Sequence, residues 1–130
     1  MKTLYKLDGT PVLNDLLTLE DEKIYTNANG SFIKHANGQL ECWHTVSSTT
    51  QAQAWGTLQM CIFANVWTFP FVFVDNPVVL ACPNNLGSNI LISTVTSDKT
   101  RVSHINAQLE ITIGKSITCN FNLKAIGRWK

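Results

Sequence analysis

From Gly30 onward, short runs rich in Val, Ile, Thr, Phe and Trp alternate with clusters of Asn, Gly, Pro and Ser. This punctuation restricts the fold more than any other feature. Apolar side chains repeating with period two, broken by turn residues every several positions, predict an antiparallel β-sandwich or barrel. Strands are expected over residues 31–35, 39–46, 60–68, 78–83, 89–96, 101–105, 108–113 and 118–129. Turn chemistry separates them at Asn37-Gly38, Asp75-Asn76-Pro77, Asn84-Asn85-Leu86-Gly87 and Ser97-Asp98-Lys99.

The residues before Gly30 differ. They carry the acidic run Glu20-Asp21-Glu22, and Leu13, Leu16 and Leu17 follow helical spacing. Pro11 suits a first helical position and Thr10 a cap. A helix this short is not stable alone and must pack on something, with copies of itself as the expected surface. The expected fold is therefore all-β: an antiparallel β-sandwich knob over residues 30–130, behind a short stalk or helical segment over residues 1–29.

Charged residues make up 15% of the 130 positions, against roughly a quarter in a typical soluble domain. Much of the surface must then be hydroxyl, amide or apolar, which fits large subunit contacts or neutral, hydroxyl-rich ligands. The net charge is +1, and the only local cluster of cations is Lys124, Arg128 and Lys130. Nucleic-acid binding leaves a broader basic footprint and is not expected. No run reaches the roughly 18–20 apolar residues of a membrane helix, so membrane insertion is not expected; neither is a signal peptide. Cys42, Cys61, Cys82 and Cys119 are widely spaced, without a C-x-x-C pair, and read as unpaired thiols of a core.

The stretch SFIKHANGQLECWHTV, residues 31–46, poses a choice between chemistry and architecture. Asn-Gly is a strong hairpin signal, because a type I′ turn needs positive φ at both central residues. With Asn37 and Gly38 at the tip, Lys34 faces Glu41, Ile33 faces Cys42 and Phe32 faces Trp43. Ile33, Leu40, Cys42 and Val46, with His35 and His44, then form the core-facing side. The alternative is a metal or nucleophile site on Cys42 and His44. Zinc needs three or four ligands and a nucleophilic Cys needs a stabilised thiolate, and the spacing supplies neither. No metal and no cofactor are expected.

In AWGTLQMCIFANVWTFPFVFVDNP, Trp67, Phe69, Phe71 and Phe73 alternate, with Pro70 interrupting the ladder. The row reads as core or subunit interface, or else as an aromatic platform for sugar rings. No glycosidase carboxylate pair, nucleophile elbow or phosphate loop is present, and the chain is not expected to be an enzyme.

Three pieces carry a resemblance: NANGSFIKHANGQLECWHTV, AWGTLQMCIFANVWTFPFVFVDNPVVLACPN and the terminal LKAIGRWK. Over residues 27–130 the chain resembles the C-terminal receptor-binding tip domain of phage and prophage tail fibres. The matching positions are Gly30, Ile33, Lys34, Asn37, Gly38, Cys42, Trp43, Phe69, Pro70, Phe73, Pro77, Ile126, Gly127 and Trp129. The resemblance implies a homotrimeric knob at a fibre tip in the virion, made in the host cytoplasm. It implies other tail proteins as partners and a bacterial surface polysaccharide or lipopolysaccharide as ligand. Recognition would fall on the polar loops 47–53, 84–89 and 97–100, giving Trp43, Trp55, Asn84, Asn85, Asn89, Asp98 and Lys99 as candidate contacts. The competing reading is a structural tail or baseplate subunit that binds only other phage proteins.

Overall fold

A computed structural model describes residues 22–55, 58–84, 90–109 and 113–130. The expected short helix carrying Leu13, Leu16 and Leu17 and the candidate contacts Asn85 and Asn89 lie outside the described residues. Those described form nine strands: β1 (Ile24–Asn27), β2 (Gly30–Lys34), β3 (Gln39–Gln51), β4 (Gln53–Trp55), β5 (Leu58–Thr68), β6 (Val78–Pro83), β7 (Ile90–Ser97), β8 (Arg101–Leu109) and β9 (Ser116–Arg128). They make two antiparallel sheets, in the orders β1-β2-β3-β9-β6 and β4-β5-β8-β7. The all-β expectation and the packing of two antiparallel sheets hold.

Alternation dictates the core. Along β9, Cys119, Phe121, Leu123 and Ala125 are buried, and the residues between them are exposed. Opposite, β5 and β8 contribute Cys61, Phe63, Val102, Ile105 and Ala107. Phe63 and Phe121 meet edge to face, 5.1 Å between centroids, and join the two sheets. Burying each such ring contributes roughly 1.5–3 kcal/mol.

The aromatic row belongs to this core. Trp67, Phe69 and Phe73 are buried and pack edge to face at 4.9 and 5.1 Å. The strand ends at Thr68, ahead of Pro70, because proline cannot donate to a ladder. A bulge between Ala64 and Trp67, with Asn65 at φ 50°, turns the Trp67 indole inward. Its Nε1 donates to the Asn29 carbonyl at 2.7 Å.

The hairpin register departs from the expected one by a single residue. Lys34 pairs with Leu40 and Phe32 with Cys42. The His35 amide donates to the Gln39 carbonyl (2.8 Å) and the Gly38 amide to the His35 carbonyl (2.9 Å). The loop is thus three residues, Ala36-Asn37-Gly38, and only Gly38 has positive φ, 96°. The Asn37 side chain explains this. Its Oδ1 accepts from the Gln39 amide at 3.0 Å, an Asx-type turn that needs no left-handed backbone at Asn37. Leu40 and Cys42 face the core as expected, but β2 is inverted relative to expectation: Phe32 and Lys34 turn inward, Ile33 outward. The expected Lys34–Glu41 and Phe32–Trp43 pairs do not form. Phe32 instead stacks on Tyr25 and Phe71, and the Lys34 ammonium lies 4.9 Å from both the Phe71 and Trp129 rings.

Three further differences follow from pairing that sequence alone cannot show. β1 pairs with β2, adding a strand between residues 24 and 27. β3 runs on to Gln51, through most of the expected 47–53 loop, because thirteen successive residues pair with β9. The chain then crosses to the second sheet at Ala52, which is buried and anchored by two backbone bonds, from its amide to the Lys115 carbonyl and from the Gly114 amide to its own carbonyl. The expected break between 105 and 108 is absent. Asn106 sits inside β8, paired with Ile62 on one side and Thr94 on the other, and central pairing overrides its turn preference.

Candidate functional site

The outer face of the five-stranded sheet is not covered by the other sheet, and its side chains form rows across the strands. The first row is Ile24, Ile33, Glu41, Ile126 and Val78. The second is Thr26, Ser31, Trp43, Lys124 and Leu80. Then come Thr45, Asn122 and Cys82, followed by Ser47 with Asn120 and Thr49 with Thr118. The face thus grades from aliphatic at the hairpin end to hydroxyl and amide at the other.

The polar half is a hydrogen-bonded ladder. The Thr45 hydroxyl donates to Asn122 Oδ1 at 2.9 Å, Ser47 donates to Asn120 Oδ1, and the Thr49 and Thr118 hydroxyls meet at 2.7 Å. Cross-strand pairs of this kind fix the register locally. Because Asn122 Oδ1 is occupied, its amide N–H groups remain the outward donors.

Where the two halves meet, a groove of about 690 Å³ opens on this face. Trp43, Ser31, Thr45, Asn122, Lys124, Leu80 and Cys82 line it. Among the described residues no Asp or Glu lines it, and Lys124 is the one formal cation there.

Beside the groove runs a chain of four charged groups. Lys124 Nζ lies 3.0 Å from Glu41 Oε1. The second oxygen, Oε2, sits 2.6 Å from His35 Nε2, and His35 Nδ1 lies 2.7 Å from Glu22 Oε2. Glu22 Oε1 accepts from the Ala36 amide at 2.8 Å. Two carboxylates can both accept from one imidazole only if both ring nitrogens carry protons. The Glu41 carboxylate, and behind it Glu22, accordingly raise His35 above its ordinary value, against the opposing cost of partial burial. Hydrogen bonds from His35 and then Lys124 hold Glu41 below the usual carboxylate range. The Ala36 amide, then His35, do the same for Glu22.

The sequence-derived contacts do not converge. Trp43 lies in the groove. Asn84 is exposed at the polar end of the same sheet, where its amide donates to the Asn120 carbonyl at 2.7 Å. Trp55 is 58% exposed at the end of β4, in the other sheet. Asp98 and Lys99 form the β7–β8 turn. Asp98 Oδ1 accepts from the Thr100 hydroxyl and from the Thr100 and Arg101 amides, which lowers its pKa and explains the residue as turn architecture. The Lys99 carbonyl accepts from the Phe73 amide, while its side chain is exposed. Sequence reasoning missed Lys124, Asn122, Thr45 and Leu80. The signal was present as alternation, Thr118-x-Asn120-x-Asn122-x-Lys124 opposite Thr45-x-Ser47-x-Thr49, but only the β3–β9 pairing brings the two runs together.

Cys42 and His44 share the inward parity of β3 and do not form a reactive pair. Burial pushes the Cys42 thiol up to about 12, the reverse of a nucleophile's environment. Burial, reinforced by Cys61, pushes Cys119 up to about 11. Among the described residues no group of three or more His, Cys, Asp or Glu side chains is placed to hold a metal ion.

The last strand closes on the hairpin loop and on the segment after β5. Trp129 donates from its amide to the Gly38 carbonyl and from Nε1 to the His35 carbonyl, both at 2.9 Å. Gly127 lies against Phe73 and Pro77. The chain matches no family model, no curated protein and no solved structure.

Proposed function

We propose that this chain is the receptor-binding tip of a phage or prophage tail fibre, assembled as a homotrimer in the virion, and that it binds a host cell-surface glycan without enzymatic action. The observation that carries this reading is the groove at Trp43, flanked by a ladder of Ser, Thr and Asn side chains. A pyranose ring presents an apolar C–H face that stacks on indole and a rim of hydroxyls that exchange hydrogen bonds with hydroxyl and amide groups. The low overall charge and the resemblance over residues 27–130 support the same reading.

Adsorption of the purified chain to bacterial cells tests it. Trp43→Ala is expected to weaken cell binding at least about tenfold, one aromatic anchor's worth, while circular dichroism stays β-type. Absence of binding by the unaltered chain to any bacterial surface would remove the adhesin claim. Light scattering tests the trimer, and a monomer at micromolar concentration would refute it.

The row Ile24, Ile33, Ile126 and Val78 favours a second reading, a structural tail or baseplate subunit docked through its aliphatic end. Ile24 and Val78 are 58% and 66% exposed, which leaves aliphatic surface open to a partner. That reading predicts loss of assembled particles, rather than loss of adsorption, when the gene is deleted.

A further inference from the structure

We infer that the groove takes an acidic saccharide, one bearing a carboxylate or phosphate, with Lys124 as its anion contact and Glu41 as the restraint on that contact. The inference rests on the glycan reading above and names the ligand class of the same site. Three observations carry it. Among the described residues the lining includes no carboxylate, and its one formal charge is positive. Lys124 stands in one row with Trp43, so a ring stacked on the indole brings its substituents beside the ammonium. Lys124 Nζ spends one of its three donors on Glu41 Oε1 and keeps two for a ligand.

Glu41 does not cancel the cation. Its other oxygen is held by His35 at 2.6 Å, so one carboxylate is shared between two positive groups. The second carboxylate of the chain, Glu22, lies beyond the imidazole from Lys124. The groove end of the chain is therefore its positive end, and an anion arriving there meets attraction at short range. Asn122, whose oxygen already accepts from Thr45, adds amide donors on the same side, also suited to an anion. Neutral sugars can accept hydrogen bonds from both groups, but only an acidic one adds the attraction between opposite charges.

Titration calorimetry with three probes tests the inference: oligogalacturonate for a carboxylate, a phosphomannan fragment for a phosphate, and a dextran oligosaccharide as the neutral control. At least one acidic probe is expected to bind about tenfold more tightly than dextran, the scale of one partly exposed charged hydrogen bond, and to lose that margin in high salt. Which acidic probe binds tells carboxylate from phosphate. Lys124→Gln is expected to erase the margin and Lys124→Arg to keep it. Glu41→Gln, which frees the ammonium, is expected to widen it, a direction that simple loss of packing does not give. Equal binding of dextran and the acidic probes, or an unchanged margin in Lys124→Gln, overturns the inference and leaves the glycan reading standing. So does failure of every probe while adsorption to cells persists. Loss of cell adsorption by the unaltered chain overturns the reading beneath it as well.

Discussion

Gly127→Ala isolates how tightly the corner around Gly127, Phe73 and Pro77 is built. Gly127 is not among the residues with positive φ, so alanine is conformationally permitted there and would by itself stabilise the fold by about 0.4–1 kcal/mol through the unfolded chain. Space argues the other way. A Cβ at this position would lie 2.7 Å from Phe73 Cδ1, 3.1 Å from Cε1 and 3.3 Å from Pro77 Cα. Phe73 is 1% exposed and is wedged against Phe69, so its ring cannot swing into solvent. Overpacking of this kind costs about 1–3 kcal/mol, and the net expectation is a loss of about 1–2 kcal/mol. For a chain of this length each kcal/mol moves the midpoint by about 3–5 °C, so Tm should fall by about 3–10 °C at fixed protein concentration. Phe73→Leu removes the clashing ring edge. The double variant should be more stable than the sum of the two single losses, by about 0.5 kcal/mol or more. A Gly127→Ala protein as stable as the unaltered one, or strict additivity with Phe73→Leu, would refute the reasoning.

Two other perturbations read out the site's surroundings. His35 has a raised folded-state pKa, so the stability it supplies is complete below its ordinary value of 6.5 and is lost as pH rises through the higher folded value. Glu41 and Glu22 are lowered, so their share is present above the ordinary carboxylate value of 4.5 and is lost as pH falls through their folded values. Relative to His35→Gln, the unaltered protein should show its largest stability advantage between those limits in urea denaturation at stepped pH; an advantage that grows in alkali would contradict the doubly bonded imidazolium. Of the four cysteines, Cys42, Cys61 and Cys119 are buried and Cys82 is exposed. A thiol reagent should therefore label one site per native chain, identified as Cys82 by peptide mapping, and all four after unfolding; rapid native labelling of Cys42 would contradict its placement.

The parts of the fold legible in the sequence are those set by local alternation. β6, read from Val78 to Pro83, matches the observed strand in both bounds, because proline and asparagine clusters fence it at each end. Leu40 and Cys42 face inward as expected. The inversion of β2 shows the limit of local reading. Asn37-Gly38 supports a two-residue or a three-residue loop, and the choice is made by the Asn37 side chain and by Trp129, far along the chain, closing on the loop's carbonyls. The site was less legible. Trp43 is legible as a stacking aromatic, but most of its neighbours in the groove come from β6 and β9. Asp98 is legible as a charged turn residue, and its Oδ1 accepts three hydrogen bonds within its own turn.

The placement of β9 between β3 and β6 has a consequence for biogenesis. The longest ladder among the described strands joins β3 to a strand that follows it only after all of β4 to β8. Until β9 leaves the ribosome, β3 presents an open edge, β6 lacks the strand it pairs with, and Phe63 of the second sheet lacks Phe121, its partner ring across the core. Such long-range pairing is slow and leaves the chain prone to clumping in the interval. Yield in recombinant expression should therefore depend on chaperones and on temperature more than the finished fold's stability would suggest.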